Sequence, residues 1–445
     1  MRLRTRLAVL VCKASGAVLR KLGRGGTNLP GKLALKIDKN ILGELSRGVK
    51  VTVVTGTNGK TTSSRMIEQA FLEQGKSYFA NRSGANLISG ITTEFVINSS
   101  LSGKCRKEYA VIECDEAACR LVLGRIKPRV LLVTNLFRDQ LDRYGTVTRA
   151  RDCIAEGLRA APETTAVINA DCPMAASIAR LCKNPIVYYG LSEHKRSTVG
   201  SGEDDVCPVC GRRLSYKGFS YANLGEYSCK CGFARKRPAF CAESVLTDGS
   251  FVLCTGEGKT LCAPALTGLY NIYNATGAAA AAVTDGVALS AAADAAHGFD
   301  CGFGRMERFP LGKRGAKMIL IKNTAAADQT IAEVCREKGD KTLVLAVNDR
   351  TADGTDISWL DEADFGMLAR RGGVKRACVC GDRAESAKKR LERENIPCQS
   401  YKNYDKLIAS LMEAEDPVFI LPTYTAMLEM RARLVHRLGG KNFWE

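Results

Sequence analysis

Between residues 51 and 62 the chain reads Val-Thr-Val-Val-Thr-Gly-Thr-Asn-Gly-Lys-Thr-Thr, and this stretch limits what the rest can fold into. Its opening residues are β-branched or apolar without strict alternation, which predicts a strand buried on both faces, as in parallel sheets covered by helices. Gly56 and Gly59 let the backbone curl so that successive N–H groups converge, and a helix is expected immediately behind them. Such a turn offers an anion both N–H donors and the positive end of a helix. Lys60 is placed to neutralise β- and γ-phosphates, and the Thr61 hydroxyl to ligate Mg²⁺. The candidate nucleotide-binding residues are therefore Gly56, Thr57, Asn58, Gly59, Lys60, Thr61 and Thr62. Val54 stands where the general phosphate-loop pattern has another glycine.

The same kind of pattern continues downstream. Tyr109–Ile112, Val130–Thr134 and Ala166–Asn169 are short apolar runs separated by helical spacing, such as Thr62–Glu73 before Gly75. They predict an α/β fold with a mostly parallel sheet. After Pro310 the pattern restarts with Thr342–Val347, Ala377–Cys380 and Val418–Leu421, the strands of a second, Rossmann-like α/β domain. The expected organisation is a basic helical lead over 1–49, a central ATP-binding domain over 50–310 and a C-terminal domain over 311–445. Residues 203–236 interrupt the central domain with Cys, Gly and Tyr and no helix-length pattern. Cys207-Pro-Val-Cys210 and Cys229-Lys-Cys231 are two pairs 18 residues apart, with Gly211 and Gly232 for the knuckle turns. That spacing suits tetrahedral Zn²⁺ in a small ribbon, although the second pair is C-x-C rather than C-x-x-C.

Composition narrows the setting. At 445 residues the chain can bury ample core, and its 45% hydrophobic and 25% charged residues are ordinary for a globular protein. No run approaches the roughly 18 apolar residues of a membrane span. Lys13 breaks the N-terminal apolar run too early for a signal peptide. Nineteen cysteines would suggest disulfides in a small secreted protein, but here Cys114, Cys119, Cys254, Cys378 and Cys380 sit in apolar segments as small core residues. A reducing, cytoplasmic setting is expected. Half of the +18 net charge falls in residues 1–49, which hold eleven Lys or Arg against Asp38 and Glu44. Leu3, Leu7, Leu10, Ala14, Val18 and Leu22 lie near helical spacing among these charges. Such a helix either rests peripherally on the anionic inner face of the cytoplasmic membrane or packs on the next domain with a solvated basic face. No aromatic-laced basic groove accompanies the charge, so nucleic acid is not an expected partner.

The phosphate loop in the form Thr-Gly-Thr-Asn-Gly-Lys-Thr-Thr resembles that of the Mur ligases and folylpolyglutamate synthases, which use ATP to turn a carboxylate into an acyl phosphate for attack by an amine. Further segments match in family order. Glu113 in Val-Ile-Glu-Cys-Asp-Glu corresponds to the family's acidic Mg²⁺ ligand. Thr134–Gly145 and Asn169-Ala-Asp171 match two further segments. Gly268-Leu-Tyr-Asn-Ile-Tyr-Asn274 is similar to the adenine-contacting stretch, with Asn274 offering an amide. Gly304-Arg-Met-Glu307 places Arg305 near ribose or phosphate. The strand leading to the phosphate loop begins near residue 50, leaving room before it for only one or two helices, so a UDP-gripping domain is not expected and a lipid-linked substrate is.

Asn348-Asp-Arg-Thr-Ala-Asp-Gly-Thr-Asp-Ile-Ser-Trp359 is similar to a segment of the MurT group within this family, with Arg350 in place of an Asn and Lys322-Asn323-Thr324 where the family has Lys-Asn-Pro. That resemblance, over essentially the whole chain, implies ATP-dependent amidation of the D-glutamate α-carboxylate of lipid II to D-isoglutamine. Ammonia would come from a GatD-like glutaminase subunit. Only His194, His297 and His436 exist, none near a cysteine in a strand–elbow context, so the Cys–His pair belongs in that partner. The resemblance assigns Asp356 as the carboxylate orienting the partner's histidine, whereas spacing alone does not separate it from Asp349 and Asp353. The competing readings are a free-standing amino-acid ligase and a nucleic-acid-binding ATPase.

Overall fold

The computed structural model describes residues 2–21, 28–81, 85–137, 147–194, 205–246, 248–298 and 304–439. They fall into two compact units that divide near residue 300. The strands of the first unit are β1 (Lys50–Thr55), β2 (Tyr78–Ala80), β3 (Tyr109–Glu113), β4 (Val130–Val133), β5 (Thr165–Asn169), β6 (Ile186–Leu191), β7 (Ser215–Phe219), β8 (Gly225–Ser228), β9 (Phe240–Glu243), β10 (Phe251–Cys254) and β11 (Lys259–Cys262). Nine of them form one sheet in the order β11-β10-β9-β6-β5-β4-β1-β3-β2. Strands β2 to β6 and β9 are parallel to β1, while β10 and β11 run antiparallel at the edge. Val51, Val53 and Val54 of β1 are almost wholly buried, as are Leu131, Leu132 and Val133 of β4. The double-sided burial expected of an apolar run without alternation is what the sheet requires.

From β1 the chain moves outward to β2 and β3 on one side and then returns to β4 on the other. This reversal beside β1 opens a crevice at the carboxyl ends of the strands, where open α/β sheets bind ligands. Five helices matter below: α1 (Leu3–Lys21), α2 (Asn28–Ile37), α3 (Ile41–Leu45), α4 (Lys60–Glu73) and α5 (Ile88–Ile97). The basic lead is part of the first unit: α2 crosses α5 so closely that a Cβ at Gly31 would lie 1.8 Å from the Ser89 carbonyl oxygen.

Strands β7 and β8 form a separate antiparallel pair that carries the cysteine pairs. Its small core joins Cys207, Leu214, Tyr227 and Phe233 to Ala176. Among the described residues this insertion is tied to the sheet through Asp171, just beyond β5 and wholly buried. One carboxylate oxygen accepts from Arg235 Nε at 2.6 Å; the other accepts from the Leu191 N–H at 2.9 Å and from the Tyr273 hydroxyl at 2.8 Å. His194 Nε2 lies 3.3 Å away. Burial works against the Asp171 charge, but His194 and Arg235 outweigh it and hold the carboxyl below its usual range.

The second unit contains β12 (Arg305–Phe309), β13 (Ala316–Ile319), β14 (Lys341–Ala346), β15 (Val374–Cys380), β16 (Cys398–Tyr401) and β17 (Val418–Pro422), in the order β12-β13-β17-β14-β15-β16. All neighbours are parallel except β12 and β13. The apolar strand pattern restarts only after Pro310, yet this unit takes in Arg305–Phe309, because that strand hydrogen-bonds to β13. It is half-exposed and charged, so its sequence carries no buried-strand signature.

Asp171→Ala should lower unfolding stability by about 3–5 kcal/mol in denaturant titration, since it strips Arg235 of a buried counter-charge. Because the folded-state pKa is depressed, this contribution is present at neutral pH and is lost as pH falls through that depressed value, so wild type and variant should converge in acid.

Candidate active site

Gly56 and Gly59 adopt φ of 126° and 85°, a conformation that side-chain-bearing residues rarely accept. Space excludes a side chain as well. A Cβ at Gly56 would approach Thr134 Oγ1 to 2.3 Å, and one at Gly59 would meet Asn274 Oδ1 at 2.1 Å. The loop is clasped by the segment after β4. The Thr57 N–H donates to the Asn135 carbonyl at 2.8 Å and the Asn58 N–H to Asn135 Oδ1 at 2.9 Å, while Thr134 Oγ1 donates to the Asn58 carbonyl at 2.7 Å. Residues 138–145 of that segment lie outside the described residues.

Behind the turn, Lys60 opens α4, and its ammonium donates to the Gly56 carbonyl and to Glu116 Oε1 at 2.9 Å. Both side chains of this ion pair are nearly buried. Burial alone would depress the Lys60 pKa, but Glu116 and Glu113 reverse the effect and hold it above its ordinary value. Thr61 Oγ1 donates to Glu113 Oε2 at 2.6 Å. Glu113 in turn is held by Asn81, whose Oδ1 accepts the Glu113 N–H at 2.8 Å and whose Nδ2 donates to the Glu113 carbonyl at 2.7 Å. Thr62 is buried beside them.

The first unit thus brings together Gly56, Thr57, Asn58, Gly59, Lys60, Thr61, Thr62, Glu113 and Asn274. The Thr61 hydroxyl and Glu113 carboxylate are an all-oxygen pair of the kind that suits Mg²⁺, already in mutual contact. Arg305 opens β12 in the second unit and is described there by itself. Two residues in this arrangement escaped sequence reasoning. Glu116 could have been found, since it lies in the same Glu113–Glu116 acidic run. Asn81 had no signal, because nothing in its own neighbourhood marks the contact 32 residues away.

Cys207, Cys210, Cys229 and Cys231 place their sulfurs within 4.8 Å of one another, with Cys207–Cys231 at 3.7 Å and Cys210–Cys229 at 3.5 Å. A tetrahedral ion about 2.3 Å from each sulfur requires edges of this size. Gly211 and Gly232 take φ of 74° and 85° in the two knuckles, and each N–H returns to the preceding Cys207 or Cys229 carbonyl at 2.9 Å. A second group, Cys241, Glu243 and Cys254, offers only three ligand atoms, and Lys259 Nζ sits on the Glu243 carboxylate at 2.8 Å. It reads as an ion-paired sheet surface.

In the second unit the loop after β14 separates its three aspartates. Asp353 is buried and accepts from the Thr425 N–H and hydroxyl, both at 2.6 Å. Asp349 is paired with Arg383 Nη2 at 2.6 Å. Asp356 is exposed, with Oδ1 accepting the Ser358 N–H at 2.8 Å and no partner at its other oxygen among the described residues. Arg350, the departure from the usual Asn, bridges Asp382 and Glu429 and so ties the loop down. Thr324, the departure from Pro, occupies the first position of the helix Thr324–Arg336. There Asn323 Oδ1 accepts the Ala326 N–H at 2.9 Å, so the turn survives without proline.

Residues 54–208 match the Mur ligase middle domain family, and residues 320–427 match the MurT ligase C-terminal family. The chain is 35% identical over 455 residues to the lipid II isoglutaminyl synthase (glutamine-hydrolyzing) subunit MurT of Streptococcus pneumoniae, an alignment that covers 98% of both chains. It is 32% identical to the MurT subunit of Staphylococcus aureus, again over 98% of both. The chain belongs to the MurT family of Mur ligases. Its fold is also that of a pseudomurein peptide ligase type C from Methanothermus fervidus, with a TM-score of 0.68 and 23% identity over 87% of this chain and 79% of that one. Mur ligases are ATP- and Mg²⁺-dependent, and the phosphate loop with its Thr61–Glu113 pair is the part of this chain that fits them.

Lys60→Ala should cut ATP turnover at least about a hundredfold, since one charge-stabilising donor is commonly worth that much. Unlike a lysine that acts on phosphate alone, Lys60 also neutralises buried Glu116, so some loss of stability is expected. Lys60→Ala/Glu116→Gln should recover the melting temperature but not the activity. Activity at the wild-type level in either variant at saturating ATP would overturn the assignment.

Proposed function

We propose that this chain is the ATP-consuming subunit of a lipid II isoglutaminyl synthase, working in the cytoplasm at the membrane's inner face. The reaction would convert the α-carboxylate of the stem peptide's D-glutamate to the amide. The full-length likeness to two MurT subunits carries this reading, because it extends through the C-terminal family as well as the ATP-binding domain. ATP bound along the loop 56–62 would present its γ-phosphate to the substrate carboxylate. Lys60 would exchange Glu116 for phosphate oxygens, which strengthens its hold as negative charge moves toward the transferring group. Mg²⁺ held by Thr61 and Glu113 would supply further charge neutralisation. The resulting acyl phosphate is open to ammonia, which takes the acyl carbon as inorganic phosphate leaves. Asn274, packed against Gly59, would contact the nucleotide, and Arg305 would be a ribose or phosphate contact.

Ammonia would come from glutamine hydrolysed by a GatD-like partner whose Cys–His pair lacks its own orienting carboxylate. Asp356 would supply it, as the loop aspartate with an exposed carboxylate that no cation in this chain engages among the described residues. The four cysteines would hold one structural Zn²⁺, which stabilises an insertion too small to support itself by apolar burial alone.

Cys207→Ser should lose that metal: elemental analysis is expected to give one zinc per wild-type chain and none in the variant. A well-folded wild type without zinc refutes the site. Asp356→Asn should keep the complex and its ATP binding yet sharply reduce glutamine-driven amidation, with free ammonia at high concentration restoring much of the product. A simple helix-capping role would instead cost about 1 kcal/mol of stability and leave glutamine hydrolysis unchanged. Wild-type glutaminase rates in the Asp356→Asn complex would therefore remove Asp356 from the shared triad.

A further inference from the structure

Helix α1 buries the face opposite to the one its leucines mark. Thr5, Ala8, Val9, Cys12 and Gly16 pack inward, whereas Leu3, Leu7, Leu10 and Val18 are 50–84% exposed. With Ala14, the outward residues follow the spacing i, i+4, i+7, i+11, i+15, one continuous stripe along a helix of 19 residues. Arg2, Arg4, Arg6, Arg20 and Lys21 are exposed around it. Through Ile37 the chain holds nine Lys or Arg and no acidic residue. The first acid, Asp38, is turned inward and accepts the Thr5 hydroxyl at 2.6 Å. Residues 1–49 contain no aromatic side chain.

We infer that the outer face of α1 is a membrane-docking surface, on which the leucine stripe enters the interfacial region of a bilayer while the flanking arginines bind anionic lipid headgroups. This rests on the proposed lipid-linked substrate for its biological sense, but its physical argument is independent of it. An apolar stripe of this length in water is unfavourable and needs a cover. Protein hot spots draw on Trp, Tyr and Arg in shaped pockets, and single-stranded nucleic acid needs stacking rings, whereas this face has leucines and uniform positive charge. Leucine with Lys or Arg and few acids is the composition of helices that lie in the plane of an anionic membrane. No helix among the described residues is long and apolar enough to cross one.

The test uses the full chain and sedimentation with large unilamellar vesicles. The chain should bind vesicles of equimolar phosphatidylglycerol and phosphatidylcholine, bind phosphatidylcholine alone far less, and release as salt rises. Leu7→Glu/Leu10→Glu should weaken binding by at least about a hundredfold, since each buried leucine is worth roughly tenfold or more. Arg6→Gln/Arg20→Gln should weaken it by about twenty-five-fold, at roughly fivefold per charge. All four positions face solvent, so the melting temperature should be unchanged. Both double variants should still amidate a water-soluble muramyl peptide at the wild-type rate while losing activity on lipid II in vesicles. Absence of wild-type binding to the anionic vesicles overturns the inference, as does unchanged binding by Leu7→Glu/Leu10→Glu. Release of a glutaminase partner by that variant would overturn it too, making the stripe a protein interface. Vesicle binding without amidation of either substrate would sink the proposed reaction and leave the membrane surface standing.

Discussion

A parallel strand covered by helices on both faces has no side chain left for chemistry except at its ends, and β1 is such a strand. Every catalytic possibility in the first unit follows from that restriction. Val51, Val53 and Val54 are spent on the core, so binding begins where the strand stops, at Gly56. The register of the sheet then decides what stands beside it. Val54 lies opposite Glu113 on β3, and Thr55 opposite Val133 on β4, so the acidic run and the Thr134–Asn135 pair both emerge at the level of the phosphate loop. The two glycines complete the constraint, because Thr134 on one side and Asn274 on the other occupy the volume a Cβ would need. Fold and site are thus one packing solution.

What could be read from the sequence divides along the same line. Features that depend on local order were legible: the buried strands, the glycine turn, the helix behind it and the paired cysteines. Features that depend on pairing across the chain were not. Asp171 and Arg235 are 64 residues apart, and neither segment announces a buried ion pair. Asn81 supports Glu113 through two backbone bonds that no spacing encodes. β12 was missed as a strand because its charged, partly exposed residues lack the buried pattern on which the other assignments rest. The opening helix shows a different limit. Its leucine periodicity correctly marks an amphipathic helix, yet small residues make the close contacts: Ala8, Cys12 and Gly16 let α1 approach its neighbours, and the larger side chains are left outside.

In the second unit a polar loop is held mainly by buried polar side chains, with Ile357 and Trp359 packed into the core at its far end. Asn348 is buried and joins three strand ends: its N–H donates to Thr423 Oγ1 at 2.8 Å, its amide nitrogen to Thr425 Oγ1 at 2.9 Å, and its Oδ1 accepts the Asp382 N–H at 2.9 Å. Asp353 adds two bonds from Thr425, and Arg350 adds ion pairs to Asp382 and Glu429. At position 350, where the resemblance has Asn, this chain anchors the loop through an arginine paired with two acids. Just beyond these fixed points Thr355 and Asp356 are exposed.

A carboxylate presented in this way has an energetic consequence for assembly. Ordering a flexible loop at an interface consumes part of the binding free energy, whereas a loop already held by buried Asn348 and Asp353 enters the interface with that cost met by the fold. A partner's imidazole docking at Asp356 would then meet a carboxylate whose loop this chain has already anchored. If the partner's histidine takes its orienting carboxylate from Asp356, glutamine hydrolysis is weak in the isolated glutaminase and strong only in the complex. Free ammonia would then form only where an ATP-binding subunit is present to use it. A triad divided between chains in this way would make nitrogen release conditional on assembly through geometry alone, without a separate conformational switch.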